Sequence, residues 1–369
     1  MADALFSSYR INKNVIPNRF TRSATAERCA EENGSVSEDL FVAYRKLAKG
    51  KIGLVITGHC YVHTSGKTNR LQNGFYDDVL IPGWSRLVEA FGEDNPDASI
   101  YAQLSHGGRQ ILPEINPNPI APSAVPLEKL GSKPVEMTEG DISMIIESYI
   151  KAAVRARKIG FDGVQLHAAH GYLINQFLSP RTNLRKDKWG GNPENRMRFL
   201  VEIIKGIRAE IGRDYPVIVK INGSDYMPGG LKVEDTAEIL KVIQEIGIDA
   251  AEISGGTVET DPKHHAIRKG VFKTSQEAYY LQEALKLLEV AKIPLLLAGG
   301  LRSVSVMKEV LKKGITAVSL SRPFICEPDL VLKIKSGEIR SKCTSCSWCY
   351  GRPINSIQCV SQKDSIVEY

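Results

Sequence analysis

Two hydrophobic rhythms alternate along this chain. Short apolar runs read as strands at Val15–Ser23, Lys51–Thr57, Ser99–Leu104, Gly163–Leu166, Pro216–Ile221, Asp249–Ile253, Pro294–Ala298 and Thr316–Leu320. GLVIT, PVIVKI and PLLLA are nearly continuous apolar segments, the pattern of parallel strands covered on both faces. Between them run stripes at helical spacing. Thr138 and Asp141 have capping-box spacing ahead of Ile142, Ile145, Ile146, Tyr149, Ile150 and Ala153, and Gly160 stops that stripe. Asn192–Pro193 starts a second stripe, Leu200, Ile203, Ile204 and Ile207, which ends by Gly212. Ala237, Leu240, Ile243 and Ile246 form a third, closed by Gly247.

Eight strands alternating with helices predict a (β/α)8 TIM barrel, an α/β fold. A doubly wound sheet is the rival, but it would normally carry a glycine-rich turn after its first strand, and ATAERCAEENG follows here. The barrel is expected over residues 1–340, with a cysteine-containing tail over 341–369. The proline-rich connection Leu112–Pro134 is long enough to be a lid or binding loop, or a plain surface strap.

In such a barrel, functional groups gather at the C-terminal ends of the strands. Those ends carry Thr57-Gly58-His59, Gln103 leading into SHGGRQ, then His167, His170 and Tyr172, then Lys220 within an apolar run. Ser254-Gly255-Gly256, Gly299-Gly300 and Ser321-Arg322-Pro323 complete the set. Three polar rings directly after Val164–Leu166 point to a reaction site. The two histidines could instead be zinc ligands or satisfied core residues; no third ligand stands close in sequence. Gly299, Gly300 and Arg322 suggest a phosphate grip, with backbone amides approaching the anion and a guanidinium adding a bidentate charge. Lys220 either pairs with a carboxylate at the barrel rim or neutralises charge on a ligand.

Composition narrows the partners. With 369 residues and a net charge of +6, the basic residues are scattered and give no footprint for nucleic acid. No apolar run reaches the roughly 18 residues of a membrane span. The first residues lack the features of a secretory signal, so a reducing cytoplasm is expected. The seven cysteines are then not a disulfide framework. Cys343, Cys346 and Cys349, with Cys359 following, have the tight spacing used by iron–sulfur clusters and structural zinc; free thiols are the alternative.

HAAHGYLINQFLSPRTN…WGG closely resembles the fourth-strand motif of the Old Yellow Enzyme family of flavin oxidoreductases. The likeness continues in NRFTRSATAE, AQLSHGGRQ, PSAVP, EISGGT, LLAGGLRS and SLSRPFICEPDL, in the same order, over roughly residues 5–335. The resemblance implies non-covalent FMN, reduced by NAD(P)H and reoxidised by a small-molecule acceptor such as an enone. It assigns His167 and His170 to the acceptor oxygen and Tyr172 to proton donation. It places Gln103 on the flavin pyrimidine, and Ser23, Ala24, Thr25 and Gly58 along the flavin. Lys220 would stand beside the ring, and Gly299, Gly300, Ser321 and Arg322 would hold the phosphate. Three positions depart from the family pattern: Lys220 replaces an arginine, Ala26 a Thr or Cys, and Ser321 a glycine. The tail resembles the [4Fe–4S] segment of trimethylamine dehydrogenase and 2,4-dienoyl-CoA reductase. A flavin demethylase or dehydrogenase, and a flavin electron-transfer module, are therefore the competing readings. Homo-oligomerisation and the choice between NADH and NADPH stay open.

Overall fold

A computed structural model describes residues 3–350 and 357–360. Eight parallel strands close on themselves: β1 Phe20–Arg22, β2 Leu54–Ile56, β3 Ser99–Ser105, β4 Gly163–Ala168, β5 Val217–Asn222, β6 Ala250–Ser254, β7 Leu295–Ala298 and β8 Ala317–Leu320. Each pairs with its neighbours in chain order, and β8 returns to β1 through Val318 opposite Phe20. The expected barrel is therefore present. The outer ring is α1 Glu38–Lys49, α2 Ile81–Asp94, α3 Glu139–Ile159, α4 Pro193–Ile211, α5 Val233–Ile246, α6 Leu281–Leu288, α7 Val304–Lys312 and α8 Leu330–Lys335.

The local signals read from the sequence set these helices. Thr138 and Asp141 form a reciprocal capping box on α3, and Gly160 ends it at φ 106°, a conformation that favours glycine. Asn192 caps α4 by accepting from the Asn195 amide, with Pro193 in its first turn.

The first expected run, Val15–Ser23, is two elements. Asn14–Ile16 pairs antiparallel with Tyr9–Ile11, and only Phe20–Arg22 enters the barrel. The Pro17 between them lacks the N–H a continuous ladder would need. Tyr9, Ile11 and Ile16 of this hairpin plug the barrel floor against Leu54, Ile56, Tyr101, Ile218, Ala250, Leu296 and Ala317. The larger apolar cluster lies between the strands and the helices. Leu112–Pro134 is not wholly irregular, since Ile120–Ala121 in it pairs with Val135–Glu136.

Strand side chains alternate in and out, so a residue two places above a floor residue also points inward. Above Tyr101, Ile218 and Ala250 stand Gln103, Lys220 and Glu252, a buried polar layer over an apolar floor. That layer supports everything above it.

Candidate active site

A cavity of about 410 Å³ opens at the C-terminal ends of the strands. Ser23, Ala24, Gln103, His167, His170, Tyr172, Lys220, Gly299, Gly300, Ser321 and Arg322 all line it. Residues far apart in sequence thus meet on one wall set. Two further candidates do not line it. Gly58 sits behind the wall, its amide donating to Glu27 Oε1 at 3.1 Å, and Thr25 Oγ1 lies 2.8 Å from Ser321 Oγ. A Cβ at Gly58 would fall 2.3 Å from Glu27 Oε2, so glycine there serves packing. Glu27 is the hub of that region. It accepts from Arg22 at 2.7 Å, Tyr44 Oη at 2.5 Å and Asn73 at 2.8 Å, tying β1 to the segment after β2.

Lys220 is buried in the barrel interior, not at its rim. Its Nζ donates to Ser23 Oγ at 2.7 Å and stands 3.2 Å from Glu252 Oε1. Ser23 Oγ donates to the same carboxylate at 2.6 Å, Gln165 Nε2 donates to Oε2 at 2.9 Å, and Gln103 Nε2 reaches Gln165 Oε1 at 2.6 Å. Both sequence alternatives for Lys220 thus meet: it has its carboxylate, and it faces the cavity.

The ring cluster is built on a strained turn. His170 has φ 62°, which a side-chain-bearing residue adopts only when its surroundings enforce it. Its amide donates to Asn222 Oδ1 at 3.1 Å. Asn222 and Asn175 both donate to Asp225 Oδ1, at 2.8 and 3.1 Å, and Asn175 Oδ1 accepts from the Gly171 amide at 2.7 Å. His170 Nε2 lies 2.7 Å from Ser254 Oγ. With the serine donating, the proton sits on Nδ1 and can be offered to the cavity. His167 Nδ1 is buried with no hydrogen-bond partner. The His167 ring centre lies 5.2 Å from that of His170 and 4.6 Å from that of Tyr172.

Burial holds both histidines well below their usual pKa, reinforced by neighbouring imidazoles and the Lys220 cation. Both are neutral donors at pH 7. His59 is likewise held down to about 4 by burial and then by Arg28, and His106 to about 3 by burial and then by His63. The unfolded chain takes up these protons near pH 6.5 while the folded chain refuses them. Stability is therefore full above that pH and is lost as pH falls toward 4, by up to roughly 1.4 kcal/mol per unit for each histidine. Urea unfolding at pH 7.5, 6 and 5 should show a steadily falling midpoint, and a flat profile would mean these rings are protonated when folded.

At the other end, Gly299 and Gly300 turn at φ 128° and 73°. The Tyr279 ring fills the space a Cβ would need, 2.5 Å from the ideal Cβ of Gly300. Arg322 Nη1 donates to the Arg268 carbonyl at 2.8 Å and to Ser347 Oγ at 2.7 Å. Arg302, two residues after the glycine pair, lines the same end. Its Nη2 donates to Ser345 Oγ at 2.9 Å, and its buried Nε has no partner. Sequence reading missed Arg302, Tyr279 and Arg28, and named Ser254 only as part of a strand end, with no role of its own. An arginine two residues after Gly299-Gly300 was the available signal for the first. Leu112 and Leu130 of the long connection also reach the cavity, which favours a binding loop over a strap.

The described part of the tail, through Ser345 and Ser347, lies against these two arginines. Among the described residues no group of three or more His, Cys, Asp or Glu side chains is placed to hold a metal ion. The cluster or zinc reading of Cys343, Cys346, Cys349 and Cys359 therefore finds no support in the structure. None of these thiols is in a disulfide, and burial pushes the Cys349 thiol up to about 11. No helix among the described residues is long and apolar enough to cross a membrane.

The chain is 38% identical to an NADH oxidase of Thermoanaerobacter brockii over 93% of its own length and 52% of that protein. It is 39% identical to an NADPH dehydrogenase of Geobacillus sp. over 70% of its length and 74% of the relative. Among solved structures, a 2-naphthoyl-CoA reductase in complex with 2-naphthoyl-CoA aligns with TM-score 0.86 at 30% identity, over 92% of this chain and 54% of that one. An Old Yellow Enzyme homologue from Zymomonas mobilis shares the fold, with TM-score 0.79 at 23% identity over 99% and 100%. The chain thus spans about half the length of the first two of the curated relatives it matches, at 52% and 45%. A family model matches residues 4–340, and the chain belongs to the NADH:flavin oxidoreductase / NADH oxidase family.

Proposed function

We propose that this protein is an FMN-dependent NAD(P)H oxidoreductase that delivers a hydride to an activated alkene. When bound, FMN supplies the redox chemistry, taking hydride from NAD(P)H and passing it on. The observation that carries this reading is the convergence of the neutral His167–His170 pair, Tyr172 and a buried Lys220 on one cavity that ends in Gly299, Gly300, Arg302 and Arg322.

The residues present fit such a group. His167 Nδ1 and Arg302 Nε are buried without partners, and so is Ser319 Oγ at the end of β8. A buried polar group left unsatisfied is costly, so these atoms fit a polar ligand in the cavity. Gly299, Gly300 and the two arginines would hold a terminal phosphate. Gln103, Ser23 and Ala24 would hold the flavin ring, with the Lys220 cation beside it. Lysine supplies charge without the planar fork of the usual arginine, and its partnership with Ser23 and Glu252 fixes that charge in place.

His167 and His170 would hold the acceptor oxygen, where negative charge grows as the alkene is reduced. Two neutral N–H donors in a buried site stabilise that charge without reorganising. Tyr172 lies against His167 and can hand its phenolic proton to the adjacent carbon. A small-molecule acceptor and NAD(P)H are the partners this site calls for. A terminal mononucleotide phosphate predicts FMN, so acid release followed by chromatography should yield FMN. A dominant FAD peak, or no flavin after reconstitution, would overturn the reading.

The histidine pair gives a separate expectation. p-Hydroxybenzaldehyde should bind as its phenolate and produce a long-wavelength charge-transfer band. His167→Ala and His170→Ala should each weaken that binding by about 1.5–3 kcal/mol, the range for a hydrogen bond to charge. Unchanged affinity in both variants would assign the pair to structure.

A further inference from the structure

His59, at the end of β2, lines the cavity while only 7% exposed, and the reading above gives it no role. Its ring centre lies 5.1 Å from that of Tyr172 and 6.2 Å from that of His167. Its protonation pattern follows from a chain of hydrogen bonds. Gln72 Oε1 accepts from the backbone amide of Thr68 at 2.6 Å. A backbone N–H can only donate, so the orientation of the Gln72 side chain is fixed. Its Nε2 therefore faces His59, 2.9 Å from Nδ1 and 2.9 Å from the His59 carbonyl. An amide nitrogen does not accept, so Nδ1 must. In the neutral ring the proton is then on Nε2.

That Nε2–H makes no hydrogen bond to any described residue. His106 is the contrast. It is fully buried, and its Nδ1 accepts from the Gly108 amide at 3.0 Å while its Nε2 lies 3.0 Å from Ser65 Oγ. Both nitrogens of the structural histidine are satisfied; His59 keeps one donor, oriented by Gln72, for something else.

We propose that His59 is a second hydrogen-bonding subsite of the acceptor pocket, taking an oxygen at the far end of the acceptor from the one held by His167 and His170. The pocket then favours activated alkenes with an oxygen at each end, such as ene-1,4-diones. His59 and His167 stand side by side on the cavity wall, ring centres 6.2 Å apart, so an acceptor lying across both can offer each an oxygen. The Arg28 side chain lines the cavity as well and adds positive charge on the His59 side. This proposal rests on the assignment of His167 and His170 to the acceptor.

Two ligands separate the two ideas. p-Cresol and p-hydroxybenzaldehyde share the phenol, and only the second carries an oxygen at the far end. Each is titrated into flavin-loaded parent protein, His59→Leu and His59→Gln, following the charge-transfer band. Comparing variant with parent for the same ligand cancels the difference in phenol acidity. His59→Leu should weaken p-hydroxybenzaldehyde about tenfold and p-cresol less than about threefold, the loss expected of one hydrogen bond. His59→Gln, which keeps an N–H donor, should recover most of it. Gln72→Met leaves the imidazole in place and frees its tautomer, and should show the same selectivity at smaller size. In turnover, His59→Leu should raise KM for 5,5-dimethylcyclohex-2-ene-1,4-dione, whose quaternary carbon blocks aromatisation, well beyond its effect on 5,5-dimethylcyclohex-2-en-1-one. Equal weakening of both ligands, or none, in the variants that fold would overturn the subsite while leaving the acceptor assignment intact. Absence of any charge-transfer band in the parent protein would overturn both.

Discussion

Replacing Tyr172 by phenylalanine should leave flavin reduction by NAD(P)H nearly unchanged and slow reduction of an enone by on the order of a hundredfold. The two half-reactions make different demands. Reduction of a bound flavin by NAD(P)H would draw no proton from Tyr172, so loss of its hydroxyl would leave that step alone. Reduction of the alkene needs a proton on the carbon next to the carbonyl. In the proposed reading Tyr172 supplies it; its ring lies 4.6 Å from that of His167 and 5.1 Å from that of His59. The imidazoles are poor substitutes as acids, because burial keeps them neutral. Stopped-flow traces of each half-reaction separate the effects. Equal losses in both would make the tyrosine a packing residue and not the proton donor.

The second large effect concerns stability. Glu252 is fully buried and is the carboxylate partner of Lys220. Glu252→Leu leaves the ammonium buried with, among the described residues, only the Ser23 hydroxyl to accept from it. It also removes the acceptor of the Gln165 amide. Breaking a buried pair from one side costs about 3–5 kcal/mol, because the remaining charge is uncompensated. Unfolding of the variant by urea should show a loss of that size. Lys220→Met/Glu252→Leu together should recover much of it, since a well-packed apolar pair avoids desolvating any charge. A single variant as stable as the parent would mean that water or another group already satisfies Lys220.

The barrel was legible because several of its strands are short, nearly continuous apolar runs and its helices carry explicit caps, Thr138 with Asp141 and Asn192 with Pro193. The floor hairpin was not, since Tyr9–Ile16 is short and broken by Asn12, Lys13 and Asn14, and its second arm was read as the start of the first barrel strand. His167, His170, Tyr172, Lys220 and Arg322 were legible as polar side chains at strand ends. The Lys220–Glu252 pair was implicit in the inward register that both share, and a period-two count along β5 and β6 could have found it. Gly58 was legible only as a glycine at a strand end; that it also makes room for Glu27 needed the structure. His59 was visible as a residue, but its function depends on the orientation of Gln72, thirteen positions away, which no local pattern encodes. The tail cysteines show the limit of spacing as evidence, because close sequence spacing does not by itself bring thiols to tetrahedral distances.

The central claim is that NAD(P)H electrons pass through a bound flavin to an activated alkene. Anaerobic stopped-flow mixing of the FMN-loaded protein with NADH, and separately with NADPH, tests it most directly. One or both should bleach the flavin band, and 2-cyclohexenone should then restore it as the saturated ketone forms. A flavin that neither nucleotide bleaches, or a reduced flavin that enones, nitroalkenes and ene-diones all fail to reoxidise, would contradict the account.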